Sequence, residues 1–312
     1  MKRHEMWRAQ YRTRRYMEHL AEDELRQRAK DVFLNQLVLT NEAKIGLPPI
    51  NAEGQYWMIQ WTHVLEEFVI RYGPYPAGFT NGFMKDLSIP RPNVPLAELA
   101  AKAVQSREVA QGTYIVKYGK AQYLKQAFEN GKIRIAPAAS YSDPSLNPAI
   151  RDEELELTIQ PPPSEFRMEI IDPNTGEKKG DIKPIGNKIT TSSQTNYYVY
   201  CLSHLFTPRL FLDFDHADAC LLITNPQKFI KRIVKEFEQV ATGFIVMAKP
   251  VRYIDPLNTR LDDIEIFFCK HFRYAYQKEF RIVWLPHEPC QKLDYVYLTL
   301  GSLGDVCELI TL

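Results

Sequence analysis

Four stretches of the chain carry residue types that could do chemistry. In the run from Tyr274 to Trp284, Gln277 and Glu279 stand two apart at the expected mouth of a strand. On a strand starting by Gln277 both side chains point the same way, with Phe280, Ile282 and Trp284 forming the opposite set. A carboxylate fixed there can stabilise positive charge developing on a reacting group; the plain alternative is a solvated edge carboxylate. Lys117 and Tyr118 flank Gly119 at the end of an earlier expected strand, and glycine lets the backbone approach a ligand closely. Tyr141 follows in a polar loop, where a surface or packing role is the alternative. Cys201 and Ser203 alternate onto one face. A Cys201–His204 dyad would need a bend in the strand, so a buried structural thiol is the simpler reading of Cys201. Asp213, Asp215, His216 and Asp218 are hard-metal ligand types. No complementary ligand group stands elsewhere, and an Asp-rich turn commonly ends a strand, so no metal is expected. The Arg151–Glu154 run reads as the charged face of a short helix or as the lining of a groove.

The elements that must position these residues change character near residue 110. Apolar residues at Leu25, Ala29, Val32, Phe33, Leu37 and Leu39 predict a helix over 24–39, ended by the Gly46–Pro49 loop. Trp57, Trp61, Val64, Leu65 and Phe68 predict a second, stopped by Gly73-Pro74. Residues 74–95 are rich in Pro and Gly and read as linker, and Pro95 suits the first turn of a short helix through Val109.

From Thr113 the pattern predicts a strand over 114–118, a helix over 120–129 closed by Asn130-Gly131, and a strand over 132–136. A short helix is expected over 147–155 and a hairpin-like surface insertion within 160–190. Short β-rich runs follow at 197–202, 210–214 and 219–224. Asn225-Pro226 caps an amphipathic helix to about Val240. Then come a strand over 244–253, a helix over 261–272, and strands over 279–285 and 293–300. Runs of strands with a few helices indicate an α+β fold rather than a doubly wound parallel sheet. The division expected is a helical N-terminal extension with a Pro-rich linker, 1–110, and a mixed domain, 111–312.

The 312 residues, 45% hydrophobic and 25% charged, suffice for a packed core and argue against wholesale disorder. A net charge of +1 gives no bulk argument for a nucleic-acid partner. The five cysteines include no C-x-x-C pair and no zinc spacing, so reduced thiols in a cytoplasmic protein are expected. The basic N-terminus lacks an apolar segment of signal-peptide type, and no run is long enough to predict a membrane span.

Taken together, the segments around Lys117-Tyr118, Tyr141 and Gln277–Glu279 resemble the ADP-ribosyltransferase superfamily. That fold opens with a strand ending in a polar or aromatic residue beside Gly, then a helix and an N-G turn. A second strand runs into an aromatic-bearing loop, and a Q/E-x-E glutamate starts a late strand. More narrowly, Lys117-Tyr118, Asp143-Pro144, Cys201-Leu202-Ser203 and Glu279-Phe280-Arg281-Ile282 resemble the pattern of an uncharacterised bacterial family within it, over roughly residues 113–301. Bacterial relatives of such families include toxins of phage-defence and toxin–antitoxin systems, some of which modify RNA or DNA.

The resemblance implies a split β-sheet core and an enzyme that uses NAD as a substrate, with no metal. It implies Glu279 as the catalytic carboxylate and Gln277 as the group that orients the acceptor. Tyr141 would wall off the nicotinamide, Lys117 or Tyr118 would hold the adenosine side or a phosphate, and Ser203 would support Glu279 or the cofactor. The implied acceptor is a macromolecule, RNA, DNA or protein, and an antitoxin or other protein partner fits the same picture. Lys2, Arg3, Arg8, Arg12, Arg14 and Arg15, interleaved with Trp7, Tyr11 and Tyr16, suggest a nucleic-acid contact or else a helix with a solvated basic face. Two other readings stay open: a non-catalytic binding or antitoxin-like module with the same fold, and an NAD glycohydrolase.

Overall fold

The computed structural model describes residues 2–83, 85, 93–165, 168–182, 187–214 and 217–312. Helices α1 (Arg3–Thr13), α2 (Glu22–Asn35) and α3 (Ala52–Tyr72) form an N-terminal layer. Asn51 starts α3 by accepting a 2.9 Å bond from the Gly54 N–H, and Gly73 ends it. Helix α2 stops at Asn35, short of the expected 39, because Val38–Leu39 pairs with Ile45–Gly46 as a small hairpin. Tyr11, Tyr16, Met17, Leu25, Val32, Trp57 and Phe68 form the core of this layer. Leu257, Phe272 and Ala275, from the other end of the chain, belong to the same cluster. A buried Arg28–Asp255 pair, both bonds 2.8 Å, joins the two parts again. The basic N-terminus therefore has its aromatics inside: Trp7, Tyr11 and Tyr16 are buried. Three of its arginines point back onto the layer, where Arg8 and Arg12 pair with Glu66 and Arg15 pairs with Glu67, while Arg14 pairs with Glu165.

Helix α4 (Val94–Gln105) follows, capped by the Asn93 side chain. The rest of the chain is built on one antiparallel sheet of eight described strands. Its members are β1 (Ile115–Gly119), β2 (Lys132–Pro137), β3 (Tyr198–Ser203), β4 (Ala219–Ile223), β5 (Phe244–Pro250), β6 (Glu279–Pro286), β7 (Val296–Thr299) and β8 (Cys307–Thr311). The order is β5-β6-β3-β1-β4-β8, and β3 also pairs with β2, which pairs with β7. The sheet thus divides along β3. Val116 of β1 faces Ser203 at one end, and Ala136 and Pro137 of β2 face Val199 and Tyr198 at the other. The fold is α+β.

Helices α5 (Ala121–Asn130) and α7 (Pro226–Val240) cover one face. Phe229, Ile233 and Phe237 recur at intervals of four on α7, so one stripe meets Tyr198, Tyr200, Ile282 and Trp284. Phe237 stacks on Trp284 at 4.7 Å, and truncating such a buried aromatic costs about 3–5 kcal/mol. Helices α4 and α6 (Pro208–Asp213) cover Val116, Tyr118, Cys220 and Leu222 on the opposite face. Gly131 closes α5 with φ 66°, and a Cβ there would lie 2.3 Å from the Gly301 carbonyl oxygen, so only glycine fits.

Three expected elements take other forms. Residues 210–214 are not a β-rich run, because Pro208 opens the short helix α6 there. No helix covers 147–155: Asn147 turns the chain by accepting from the Ala149 N–H, and Glu154 leaves for a buried ion pair. The expected helix at 261–272 is a pair of 3-10 turns followed by Cys269–His271, which pairs in parallel with Arg252–Ile254. The hairpin within 160–190 is present as Met168–Ile171 with Lys178–Ile182. No helix among the described residues is long and apolar enough to cross a membrane.

Candidate active site

The fork in the sheet opens a cleft. On the side facing β1 and β2, residues 200–202 of β3 have no ladder partner, since one strand pairs before them and the other after. The cavity there measures about 310 Å³, and Lys117, Tyr118, Tyr141, Ser203, Gln277 and Glu279 all line it. Residues picked from widely separated stretches of sequence therefore meet around one space, and Asp213 and Asp218 of the acidic run do not join them.

Glu279 starts β6 and is buried opposite Ser203. Its Oε1 accepts a 2.6 Å bond from Arg281 Nε and its Oε2 a 2.9 Å bond from Lys270 Nζ. Arg281 also reaches Glu154, Nη2 to Oε1 2.8 Å, and Lys270 lies 3.9 Å from Glu154 and 3.8 Å from Asp152. Burial alone would raise the Glu279 carboxyl; Arg281 and Lys270 outweigh it and hold the group well below the usual carboxylate range. Burial wins at Glu154, whose carboxyl is pushed up against the opposing pull of Arg281 and Lys270. Three carboxylates, Glu279, Glu154 and Asp152, thus meet three cations, Lys270, Arg281 and Arg273, the last 3.8 Å from Asp152.

Gln277 and Glu279 are not successive positions of one strand face. Residues Phe272–Gln277 form a 3-10 turn, Lys278 takes a left-handed conformation at φ 45°, and the strand begins at Glu279. A non-glycine residue at positive φ is costly and is kept only where its surroundings fix it. Here the Lys278 carbonyl accepts from the His204 N–H at 2.8 Å, and its ammonium pairs with Glu53. Gln277 still lines the cleft, but its Nε2 donates 2.7 Å to the Ala149 carbonyl and the residue is 2% exposed. It ties the 149 loop to the start of β6.

Ser203 does not touch the Glu279 carboxylate. Its Oγ donates 2.6 Å to the Gln277 carbonyl and accepts 2.9 Å from the Leu205 N–H, which fixes the backbone before β6. Tyr118 is likewise committed: its hydroxyl donates to the Leu205 carbonyl at 2.8 Å, accepts from the Thr207 N–H at 3.0 Å, and its ring meets Phe211 edge-on. Lys117 crosses the fork, donating 2.8 Å to the Cys201 carbonyl, with its ammonium 4.6 Å from the Tyr200 ring centre. Gly119 lines the cleft, yet a Cβ there would meet only Leu124 at an ordinary 3.6 Å. Tyr141 packs with Val199 and Val283 against the wall, and burial pushes its hydroxyl pKa well up.

Cys201 is not an activated thiol, since burial first, and then Glu279, raise its pKa. His204 turns away, edge-on to Phe280 at 5.1 Å. Of the acidic turn, Asp215 and His216 lie outside the described residues. Asp213 pairs with Arg209, and Asp218 accepts from the Ala121 N–H at the start of α5.

Sequence reasoning passed over Arg281 and Lys270 as site residues. The Glu-x-Arg spacing was the available signal for Arg281, because i and i+2 share a strand face. Nothing local marked Lys270, which arrives on a separate short strand. Comparison of the chain with protein-family models, with curated proteins and with solved structures gave no match.

Proposed function

We propose that the chain is an NAD-dependent ADP-ribosyltransferase that modifies a macromolecule, nucleic acid or protein, in the manner of a toxin or phage-defence effector. The observation that supports this best is the convergence of Glu279, Gln277, Tyr141 and Lys117 on one cleft of about 310 Å³. The reaction breaks the bond between nicotinamide and ribose. The bonding pair leaves with nicotinamide, positive charge develops on the ribose, and an acceptor oxygen or nitrogen bonds to that carbon and loses its proton.

Glu279 is suited to stabilise the developing charge. It is held ionised and immobile, so no reorganisation is required as the charge appears. Tyr141 offers a flat wall for the departing ring.

One observation favours water as the acceptor. Gln277 spends its amide N–H on the Ala149 carbonyl, and so is poorly free to orient a macromolecule. Incubation with NAD together with cellular RNA, DNA and protein decides between the readings. Nicotinamide release with added ADP-ribose mass on one polymer is expected. Release without label would establish the glycohydrolase, and absence of release would leave a non-catalytic binder. Glu279→Gln is expected to lower release on the order of 10²–10³-fold.

A further inference from the structure

A second cavity, a groove of about 460 Å³, lies between α2 and residues 256–272. Leu20, Leu257 and Phe272, all buried, give it an apolar floor. Helix α2 supplies a polar wall, because Asp23, Gln27 and Asp31 recur at intervals of four and share one face. At a helical rise of about 1.5 Å per residue, Asp23 and Asp31 stand roughly 12 Å apart along the axis. Asp23 is exposed at one end of the groove, and Asp31 is only 6% exposed at the other.

The charge of this wall is not balanced. Among the described residues no cation pairs with Asp23 or Asp31, and Asp31 accepts one hydrogen bond, 2.7 Å from the Gln27 amide. Burial pushes the Asp31 carboxyl up to about 6 against the pull of Gln27, Arg273, Arg28 and Lys30. The other charged groups lining the groove are matched, Arg28 by Asp255 and Glu24 by Lys188. Burial first, and then Arg273, push the His271 pKa down to about 3, so this ring adds no positive charge. A buried carboxylate without a counter-ion is stabilised by a cation that reaches it. Among the described residues no carboxylates gather as a metal ion needs. Two anionic points far apart, with an apolar floor between them, suit an organic chain charged at both ends.

The groove also adjoins the candidate active site through one short strand. Neighbouring residues of Cys269–His271 point to opposite sides. Lys270 lines the first cleft and donates to Glu279, while His271 lines the groove.

We propose that this groove binds a linear polyamine, one terminal ammonium at Asp31, the other at Asp23 and the methylene chain over Leu20, Leu257 and Phe272, and that its occupancy is transmitted to Glu279 through the Cys269–His271 strand. The site stands whether or not the chain transfers ADP-ribose.

Calorimetric titration of the full-length protein with spermidine, and with heptanediol as an uncharged chain, tests this. Spermidine is expected to bind at a single site, more weakly as salt rises, and heptanediol is not expected to bind. Asp31→Asn should weaken spermidine binding by about tenfold or more, since the buried charge is the stronger anchor. That variant should melt no lower than the wild type, because it removes a buried charge without a partner. Asp23→Asn, at an exposed position that leaves the core untouched, should cause a smaller loss. Spermidine should slow amide exchange over residues 269–279 as well as over α2. A wild type that does not bind spermidine overturns the site, as does an Asp31→Asn protein that binds it equally well or a titration showing many sites indifferent to both substitutions. Slowed exchange confined to α2 overturns the link to Glu279.

Discussion

Glu279 Oε1 accepts a 2.6 Å bond from Arg281 Nε, two residues further along the same strand, and both residues are buried. The same guanidinium holds Glu154, brought in from more than a hundred residues earlier in the chain. A charge in this setting depends on its partners, since removing one leaves the other buried and uncompensated. Glu154→Leu or Arg281→Met alone is expected to cost about 3–5 kcal/mol of stability. The double variant Glu154→Leu/Arg281→Met should cost less than the sum of the singles, read from urea denaturation midpoints.

Gln277 acts through its amide bond to the Ala149 carbonyl. Gln277→Ala leaves that carbonyl without its donor and should cost about 1–3 kcal/mol in thermal or urea unfolding. If Gln277 instead reads the acceptor, the variant would keep its stability and change the distribution of label among polymers.

Asn35, at the end of α2, reaches the turn that precedes the candidate catalytic residue. Its Nδ2 donates to the carbonyls of Phe272 and Arg273 at 3.2 and 3.1 Å, and its Oδ1 accepts from the Tyr276 N–H at 2.9 Å. Asn35→Ala is expected to lower the melting temperature by roughly a few degrees, because buried main-chain groups lose partners. Amide exchange over residues 272–278 should accelerate more than exchange in β4, which Asn35 does not touch.

His63 is buried between Tyr11 and Tyr16, with Nδ1 3.1 Å from the Tyr16 hydroxyl. Burial first, and then the charge of Arg28, push its pKa down to about 4. The folded state therefore binds fewer protons than the unfolded chain between about pH 6.5 and 4. The stability His63 permits is complete above pH 6.5 and is lost as the pH falls through that window, on the order of 3 kcal/mol in all. His63→Gln should flatten the fall in urea midpoint between pH 7.5 and pH 5. An unchanged slope would show that other groups control acid unfolding.

Much of the architecture was legible because it rests on local signals. Asn225-Pro226 and the spacing of Phe229, Ile233 and Phe237 specify α7 through capping and periodicity. Asn130-Gly131 specifies the end of α5 through the left-handed position that glycine alone accepts there. For the charged run at 151–154 the helix face gave way to the other reading, a groove lining, which Glu154 fulfils; whether a carboxylate faces solvent or a buried arginine depends on a partner far away in the chain.

The sequence by itself determined which segments are helix or strand over most of the chain and which residue types stand at the strand ends. Periodicity, capping and turn chemistry act within a few residues, and that range suffices for such features. Only the tertiary structure decided that β3 divides the sheet, that Lys270, Arg281 and Glu154 surround Glu279, and that Tyr118 and Ser203 spend their hydroxyls on backbone. Those outcomes depend on long-range register and on competition among partners for each polar group, and neither is written in any local stretch of residues.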